Sequence, residues 1–379
     1  AGTLQIGIGE LGDAIVYALM LRHGRHALWR QVLDGTGLGG RFAAERAVIG
    51  GDAPFALGLY GMTEMFVDGF LDLYRAGILK RRVQPDGALL HAAFLLGPRA
   101  FYEELRAMPD AERALFQMMP VSFTNELAGP DWQLKVDQRR DARFINSAMM
   151  ATLGGAIVSD GLADGRVVSG VGGQYNFVAQ AQTLPGARSL IALRSTRESA
   201  GRLESNIRFN YGHVTIPRYL RDICITEYGV ADLRWKSDAE VAAAMLDITD
   251  SRFQPALLAE AQRAGKLPAS HRIRDQHRNN LPEAQERALA PHRAAGLFSE
   301  LPFGSDLTVE EITLGRQLRQ LKERTTTWPG KLGLLARFLR PLPRDQASQA
   351  CLARMDLAVP RSLRERFWRR LVATAISRR

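Results

Sequence analysis

Short apolar runs alternate with segments of helical periodicity through the first two thirds of the chain. Three of these runs predict strands, and each is followed by a helical pattern. The strand and helix pairs are 4–8 with 13–23, 55–62 with 65–76, and 88–96 with 98–108. Alternation of this kind, with glycine-rich turns after the strands, predicts an α/β fold built on an open, mostly parallel sheet with flanking helices.

Two more short strands and one helix start can be read farther along the chain. The strands are predicted at 189–193 and 222–226. Ser237 stands three residues before Glu240 at the head of an apolar run, which is the pattern of a capping box. A helix is therefore predicted over 241–248.

The composition of the sequence changes after residue 267. Residues 268–300 are polar and rich in Arg, His and Asn, and residues 308–379 have a helical pattern. The prolines that interrupt this pattern are Pro329, Pro341, Pro343 and Pro360. We predict an α/β domain over 1–267, followed by a polar linker and a helical basic extension over 268–379.

Positive charge is concentrated towards the carboxyl end of the chain. The whole chain has 50 Lys and Arg against 40 Asp and Glu, a net charge of +10. Residues 315–379 hold 16 basic and 4 acidic residues, a surplus of 12. Such a tail suits nucleic acid, an anionic surface or an acidic partner domain. Because recognisable nucleic-acid motifs are missing from the sequence, a solvated appendage or one packed on an acidic partner is favoured, and no nucleic-acid partner is expected.

Composition and cysteine usage narrow the class of protein. With 46% hydrophobic and 24% charged residues, the chain has the balance of a globular protein. Its apolar runs are far shorter than the roughly 20 residues of a membrane helix, so no membrane partner is expected. Cys224 and Cys351 are far apart in sequence and indicate a reducing compartment, so a cytoplasmic location is predicted. The chain opens on a strand pattern, and we expect a further segment upstream.

A glycine-rich loop follows the first predicted strand. Residues 7–12 read GIGELG, a formal GxGxxG that lets backbone N–H groups at a helix start approach a phosphate. A dinucleotide site also needs an acidic residue at the end of a second strand about 20 residues later. Residues 29–37 are not strand-like, and Asp34 lies in a turn context. A tight strand–helix turn is therefore favoured over a nicotinamide site.

Two further segments are candidates for chemistry. Glu64 is predicted to follow a strand and precede a helix, where a carboxylate can act as nucleophile or base or simply favour the helix start. Position alone favours the helix-start role. Residues 169–174 read SGVGGQ, and adjacent glycines expose backbone N–H groups that can stabilise an oxyanion. A crowded turn explains the same glycines equally well.

Several other site types are disfavoured by their missing motifs. The seven histidines have no metal-ligand spacing and HExxH is absent from the sequence, so no metal is expected. A GxSxG nucleophile elbow and a P-loop lysine are absent as well. His271 and His277 lie in the polar stretch and are expected at the surface.

Six sequence stretches, taken together and in this order, carry a resemblance to a known family. They are LQIGIGELGDAI (4–15), MTEMFVDGFLDLYRAGIL (62–79), PVSFTN (120–125), FINSAM (144–149), SGVGGQYNFV (169–178) and TEYGVADLR (226–234). The chain resembles the C-terminal domain of the family I CoA-transferases, in the acetyl-CoA hydrolase/transferase branch.

This resemblance implies a mechanism and a set of site residues. Glu64 of the TE motif is then the catalytic carboxylate of an acyl-CoA:carboxylate CoA-transferase of the acetyl-CoA type, acting through a glutamyl-CoA thioester. Asn125 and the backbone of Gly173 are then the oxyanion donors, Gly172 lets CoA approach, and Gln174 is counted with this oxyanion and CoA-binding set. Coenzyme A is then a substrate, and no cofactor is expected.

The resemblance also implies partners and leaves alternatives open. The partners are an acyl-CoA, a small carboxylate and an N-terminal CoA-transferase domain that this chain lacks, and a homo-oligomer is expected. We therefore expect these 379 residues alone to transfer CoA poorly. The alternative functions are an acyl-CoA hydrolase, in which water replaces the acceptor carboxylate, and a catalytically silent CoA-binding domain.

Five positions depart from the family pattern. Met150 and Thr152 replace an acidic pair, Asn176 replaces an aspartate, Gln180 replaces an arginine, and Trp235 stands where glycine is usual. These changes lie near the expected site and bear on its acyl specificity.

Overall fold

The computed structural model describes residues 2–48, 50–199, 201–325, 333 and 345–376. The chain divides into two compact units. The first comprises Ala1–Arg197 with Glu204–Pro302, and the second comprises Glu198–Leu203 with Phe303–Arg379. The predicted domain boundary after residue 267 stays a prediction, and the predicted helix breaks at Pro329, Pro341 and Pro343 lie outside the described residues.

The described strands are short and spread along the chain as far as residue 232. They are β1 (Gly2–Gln5), β2 (Leu59–Phe66), β3 (Leu90–Leu95), β4 (Phe116–Met118), β5 (Ala142–Ser147), β6 (Met150–Thr152), β7 (Ile157–Val158), β8 (Arg188–Ala192), β9 (Thr196–Ser199), β10 (Arg202–Ser205), β11 (Ile207–Arg208), β12 (Ile223–Thr226) and β13 (Gly229–Asp232).

Helices lie between these strands and after them. They are α1 (Glu10–Gly24), α2 (His26–Gly35), α3 (Leu38–Arg41), α4 (Ala43–Val48), α5 (Gly69–Arg75), α6 (Arg99–Ala107), α7 (Asp110–Arg113), α8 (Val121–Asn125), α9 (Trp132–Gln138), α10 (Gln174–Thr183), α11 (Asp238–Asp247), α12 (Gln254–Arg263), α13 (Pro282–Ala294), α14 (Val309–Thr325), α15 (Gln346–Arg354) and α16 (Leu363–Ile376). Short 3₁₀ helices lie at Arg218–Leu220 and Asp275–His277.

The first unit is built on an eight-stranded sheet in the order β13-β12-β8-β5-β1-β2-β3-β4. Neighbouring strands from β12 to β4 run parallel, and β13 pairs antiparallel with β12 at one edge. The predicted open, mostly parallel α/β sheet is therefore confirmed. Parallel strands all end at the same edge, and open sheets of this kind bind ligands there.

Helices cover the sheet and bury its apolar residues. Val16 of α1 and Phe70 of α5 are fully buried in one core cluster with the strand residues Leu4, Phe66 and Leu90. Strands buried on both faces read as short continuous apolar runs. This explains why the strands were visible in the sequence as runs and not as alternating patterns.

The boundary of β2 differs from the prediction in a way that affects the site. The predicted strand ended at Met62, but β2 extends to Phe66, so Glu64 lies within the strand and not after it. The cause is the neighbouring strand β3, which supplies pairing partners as far as Met65 with Phe94 and Phe66 with Leu95. The helix-start role for Glu64 is therefore wrong, because α5 begins five residues later, at Gly69.

Two local predictions have clear outcomes. The capping box of α11 is present, with the Ser237 hydroxyl accepting from the Glu240 N–H and the Glu240 carboxylate accepting from the Ser237 N–H. The expectation that His277 lies at the surface is wrong, because its side chain is fully buried. The imidazole packs against the Phe42 ring and lies 3.3 Å from the Arg41 guanidinium. His277 is buried because the first unit includes residues beyond the last strand, as far as Pro302.

The second unit is helical in its described part. Its buried cluster is formed mainly by residues of α14, α15 and α16, which include Leu314, Cys351, Leu352 and Val372. None of the helices in the described part of the chain has both the length and the apolar character needed to cross a membrane. The described residues likewise contain no group of three or more His, Cys, Asp or Glu side chains suited to a metal ion.

Candidate active site

Glu64 lies near the carboxyl end of β2, at the sheet edge where ligands bind in open α/β folds. Its neighbour Thr63 points into the core and donates a hydrogen bond of 3.0 Å to the Ile6 carbonyl, which ties β2 to the end of β1. Because successive side chains on a strand alternate between faces, Glu64 points to the other side. The Glu64 side chain is half-buried and reachable by a ligand.

Asn125 is the last residue of α8 and is buried beside Glu64. Its Nδ2 group donates to Oε2 of Glu64 over 3.0 Å. The side-chain carbonyl of Asn125 accepts from the Thr124 hydroxyl, also over 3.0 Å. These two contacts determine the amide orientation, because a flipped amide would place its oxygen against the carboxylate.

Gly172 and Gly173 bring the backbone against the same carboxylate. A Cβ atom added to Gly173 would lie 2.4 Å from Glu64 Oε2 and 2.7 Å from Asn125 Nδ2. Gly172 has φ +56°, a left-handed conformation that favours glycine, and its added Cβ would lie 3.8 Å from Oε2. The structure therefore brings together four of the five predicted site residues from three separate segments.

The start of α10 adds a favourable electrostatic feature. The ten-residue helix begins at Gln174, directly after Gly173, and its first turn contains no acidic residue. Unpaired N–H groups and the helix dipole give such an end a partial positive charge. The departure at Asn176 keeps a negative charge out of this turn. A carboxylate or a developing oxyanion is therefore stabilised at this position.

Gln174, the fifth predicted residue, faces a different part of the site. Its Nε2 group donates to the Ser147 carbonyl over 2.8 Å, and its Oε1 atom is buried with no hydrogen-bond partner in the part of the chain that the structure describes. The side chain lines a cavity of about 270 Å³. The other walls of this cavity include residues of the GIGELG loop and of the segments 145–149 and 169–171.

The GIGELG loop forms a tight turn between β1 and α1. A Cβ on Gly12 would lie 2.4 Å from the carbonyl oxygen of Gly7, so the third glycine serves close packing of helix and loop. The stretch in which a dinucleotide site needs a second strand is instead the helix α2. The geometry confirms the prediction that this loop is a tight turn. A dinucleotide site is not supported, because α2 occupies the stretch where a second strand is needed.

Three departures from the family pattern have simple structural settings. Met150 is buried in β6, and the Thr152 hydroxyl accepts from the Ala156 N–H over 3.0 Å. Trp235 has φ +62° and is 94% exposed. Glycine adopts such a φ at little cost, which explains why it is usual at this position.

The contacts of Arg139 and Gln180 with the segment that carries Asn125 were not predicted from the sequence. Arg139 is fully buried beside α8, although charged residues are rarely buried and no pattern singled it out. Gln180 was noticed only as a departure from an arginine. An arginine followed by another charged residue near a helix end looks like an exposed position in the sequence alone.

Comparison with known proteins identifies the class of this domain. Residues 97–261 match the family model described as the acetyl-CoA hydrolase/transferase C-terminal domain. This range includes Asn125 and Gly173, while Glu64 lies before it. This match confirms, for residues 97–261, the resemblance predicted from the motifs.

Two curated relatives are named as CoA-transferases. Butyryl-CoA:acetate CoA-transferase of Anaerostipes caccae is 31% identical over 233 residues, which are 60% of this chain and 49% of that protein. Probable butyrate:acetyl-CoA coenzyme A-transferase of Syntrophomonas wolfei is 29% identical over 274 residues, which are 70% of this chain and 58% of that protein. The chain thus spans about half the length of the curated relatives it matches.

A solved structure supports the fold over the same part of the chain. RipA from Yersinia pestis aligns with a TM-score of 0.52 at 26% identity, and the alignment covers 70% of this chain and 50% of RipA.

Proposed function

We propose that this chain contributes the glutamate-bearing half of an acyl-CoA:carboxylate CoA-transferase, in which Glu64 forms a glutamyl-CoA thioester. The observation that carries the proposal is the contact of 3.0 Å between Asn125 Nδ2 and the Glu64 carboxylate, with Gly173 packed against both groups. A carboxylate beside oriented donors suits covalent catalysis on a carbonyl centre.

The first half-reaction transfers CoA from the acyl group to Glu64, by way of an acyl-glutamyl anhydride. A carboxylate oxygen of Glu64 attacks the thioester carbonyl carbon, and the resulting tetrahedral oxyanion collapses with breakage of the C–S bond. The products are an acyl-glutamyl anhydride and CoA thiolate. The thiolate then attacks the glutamyl carbonyl, the original acyl group leaves as a carboxylate, and a glutamyl-CoA thioester remains.

The second half-reaction repeats these steps in reverse with a second carboxylate. The acceptor attacks the glutamyl thioester, and CoA thiolate leaves and then attacks the acceptor carbonyl of the mixed anhydride. Acceptor acyl-CoA departs, and Glu64 is regenerated. Asn125 and the backbone of Gly173 are the proposed donors to the oxyanions, each contributing roughly 3 kcal/mol of transition-state stabilisation.

The anhydride hydrolyses if water reaches it, so a partner must close the site. Apolar side chains are exposed where β1, β3 and β4 end, at the same sheet edge as Glu64. They are Ile8, Phe94, Leu95, Leu96, Met118 and Val121. We propose an N-terminal CoA-transferase domain as the partner that covers them, in line with the half-length match to the relatives. A homo-oligomer is proposed on the family resemblance alone.

The substrates are proposed from the names of the relatives. Acetyl-CoA or butyryl-CoA with acetate or butyrate as acceptor are the first choices, with CoA as substrate and no further cofactor. A cytoplasmic location is also proposed, and its support is that Cys224 and Cys351 are both free.

The test is an assay of the complete natural protein with acetyl-CoA, with and without butyrate. A transferase forms butyryl-CoA and releases little free CoA when butyrate is left out. Equal release of free CoA with and without butyrate would overturn the proposal in favour of an acyl-CoA hydrolase. Binding of CoA without any turnover would overturn it in favour of a silent CoA-binding domain.

A further inference from the structure

Arg139 is a fully buried cation with neutral hydrogen-bond acceptors. Its guanidinium donates to the Phe123 carbonyl, to Gln180 Oε1 over 2.5 Å and to the Glu126 carbonyl over 3.5 Å. Among the described residues, its hydrogen-bond acceptors are two backbone carbonyls and one amide oxygen, and none is a carboxylate. Burial lowers the pKa of Arg139 to about 10, so the group stays charged at neutral pH. A buried charge of this kind is expensive and suggests a specific task.

Gln180 connects this cation to the backbone of Asn125. Its side chain leaves α10 on the buried face, and its Oε1 atom accepts from Arg139. The Nε2 group on the other side of the amide donates to the Asn125 carbonyl over 2.8 Å and lies 3.4 Å from the Thr124 carbonyl. Because Arg139 donates to the oxygen, the amide nitrogen must face Asn125.

The carbonyls bound by this pair belong to the last three residues of α8 and to Glu126, which directly follows the helix. That helix has five residues, and a helix this short does not form without outside support. The last carbonyls of a helix lack partners within it, and buried donors must satisfy them. Arg139 and Gln180 supply these donors, and Lys135 adds one at the Glu126 carbonyl over 3.0 Å.

We infer that Arg139 and Gln180 are positioning residues that hold the backbone of residues 123–126 so that the Asn125 amide points at Glu64. The chain of contacts runs from Arg139 to Gln180 Oε1, from Gln180 Nε2 to the Asn125 carbonyl, and from Asn125 Nδ2 to Glu64 Oε2. The inference rests on the proposed function, because it gives this chain of contacts a role in the transfer reaction.

The variant that separates positioning from folding is Gln180→Glu. A glutamate keeps an oxygen for Arg139 and turns that contact into an ion pair, which offsets part of the stability lost at the Asn125 carbonyl. It removes the donor to the Asn125 carbonyl and places an oxygen there instead. We expect kcat to fall about tenfold or more. We expect KM for the acyl-CoA to stay within about twofold, since Asn125 acts in the transition state.

The matched control is Gln182→Glu, the same change two residues farther along α10. Gln182 is exposed and donates to the Leu220 carbonyl over 3.1 Å, so its replacement leaves kcat unchanged. If Gln180→Glu fails to fold, Gln180→Met provides the second variant. It has a similar length, loses the same donor and adds no charge, and it carries the same expected fall in kcat.

A double-mutant cycle with Asn125→Ala shows whether Gln180 acts through Asn125. In the Asn125→Ala background, Gln180→Glu should change kcat by less than about twofold, because the side chain that it positions is gone. An unchanged kcat in a folded Gln180→Glu protein, or the same fall in both backgrounds, would overturn the inference. Wild-type protein is assayed in parallel as a separate test of the proposed function. If the wild type does not transfer CoA, the proposed function itself is overturned.

Discussion

Gly173 leaves no room for a side chain between the two polar groups of the site. A methyl group there would lie 2.4 Å from the Glu64 carboxylate and 2.7 Å from the Asn125 amide, both far inside contact distance. The backbone of Gly173 has φ −81°, which any residue adopts, so the requirement for glycine is steric and not conformational. Gly172 differs, because its positive φ is itself a reason for glycine.

Gly173→Ala is therefore a sharp test of the site at the residue scale. The methyl group must displace Glu64, Asn125 or the start of α10, and we expect transfer activity to fall by about 100-fold in folded protein. Gly24→Ala is the matched control, because Gly24 is exposed at the end of α1 and its added Cβ meets nothing within 4 Å. Equal activity of the Gly173→Ala and Gly24→Ala proteins would show that the carboxylate is not the reacting group.

The sequence motifs allowed the members of the site to be predicted, but not all of their surroundings. Glu64, Asn125 and Gly173 follow from motifs that are local in sequence, and the structure brings them together. Arg139 could not be predicted, because its burial depends on contacts with Phe123 and Gln180 that are distant in sequence. Gln174 was predicted as part of the same set, but its side chain lines the neighbouring cavity.

At the scale of elements, strand pairing explains why β2 ends later in the sequence than predicted. An apolar run shows that a strand exists, whereas its end depends on how far the neighbouring strand continues. Here β3 continues to Leu95, so β2 continues to Phe66 and carries Glu64 within it. The capping box of α11 was predictable because all its contacts lie within four residues.

The pair β2 and β3 also carries a buried polar chain. The His91 imidazole is fully buried between the Tyr60 hydroxyl, at 2.6 Å from Nδ1, and the Asp86 carboxylate, at 2.9 Å from Nε2. A neutral ring satisfies both contacts, with Nδ1 accepting and Nε2–H donating. Burial lowers the pKa of His91, and the nearby Asp86 charge offsets this only in part.

This pKa shift gives a prediction for stability against pH. The pKa of His91 is lower in the folded protein than the unfolded value of about 6.5, so the unfolded chain binds more protons below that pH. The free energy of unfolding is therefore retained above about pH 6.5 and falls as the pH drops through the folded pKa. His91→Gln should flatten part of this slope in urea unfolding measured between pH 5 and 7.

Part of the pH dependence of the free energy of unfolding remains in His91→Gln, because burial also lowers the pKa of His277. A His91→Gln protein with the full wild-type slope would mean that His91 does not titrate in this range when the protein unfolds. Its stability at pH 7 serves as the reference, since the variant loses the contacts to Tyr60 and Asp86 at every pH.

At the scale of the whole molecule, strand–helix alternation was enough to predict the sheet. Parallel strands need helical crossovers, and the sequence shows short apolar runs and segments of helical periodicity in turn. The region after residue 267 is polar in composition, and the domain boundary predicted there stays a prediction. This region groups with the first unit as far as Pro302. Its buried polar side chains, such as His277 and Asn280, have no periodic pattern that the sequence reveals.

The chain matches about half of the length of each curated relative, so the proposed reaction also depends on what covers the site. Glu64, Asn125 and Gly173 lie at an open sheet edge with apolar side chains around it. The proposed anhydride intermediate needs that edge covered, so we expect the proposed activity only when a partner closes the site.

The glutamyl-CoA intermediate is the central claim, and trapping it is the most direct test. The complete natural protein is incubated with acetyl-CoA without an acceptor and reduced with borohydride, and the peptide containing Glu64 is analysed by mass spectrometry. We expect Glu64 to be converted to the corresponding alcohol in wild-type protein and no peptide to be modified in Glu64→Ala. An unmodified Glu64 in protein shown to bind CoA would contradict it.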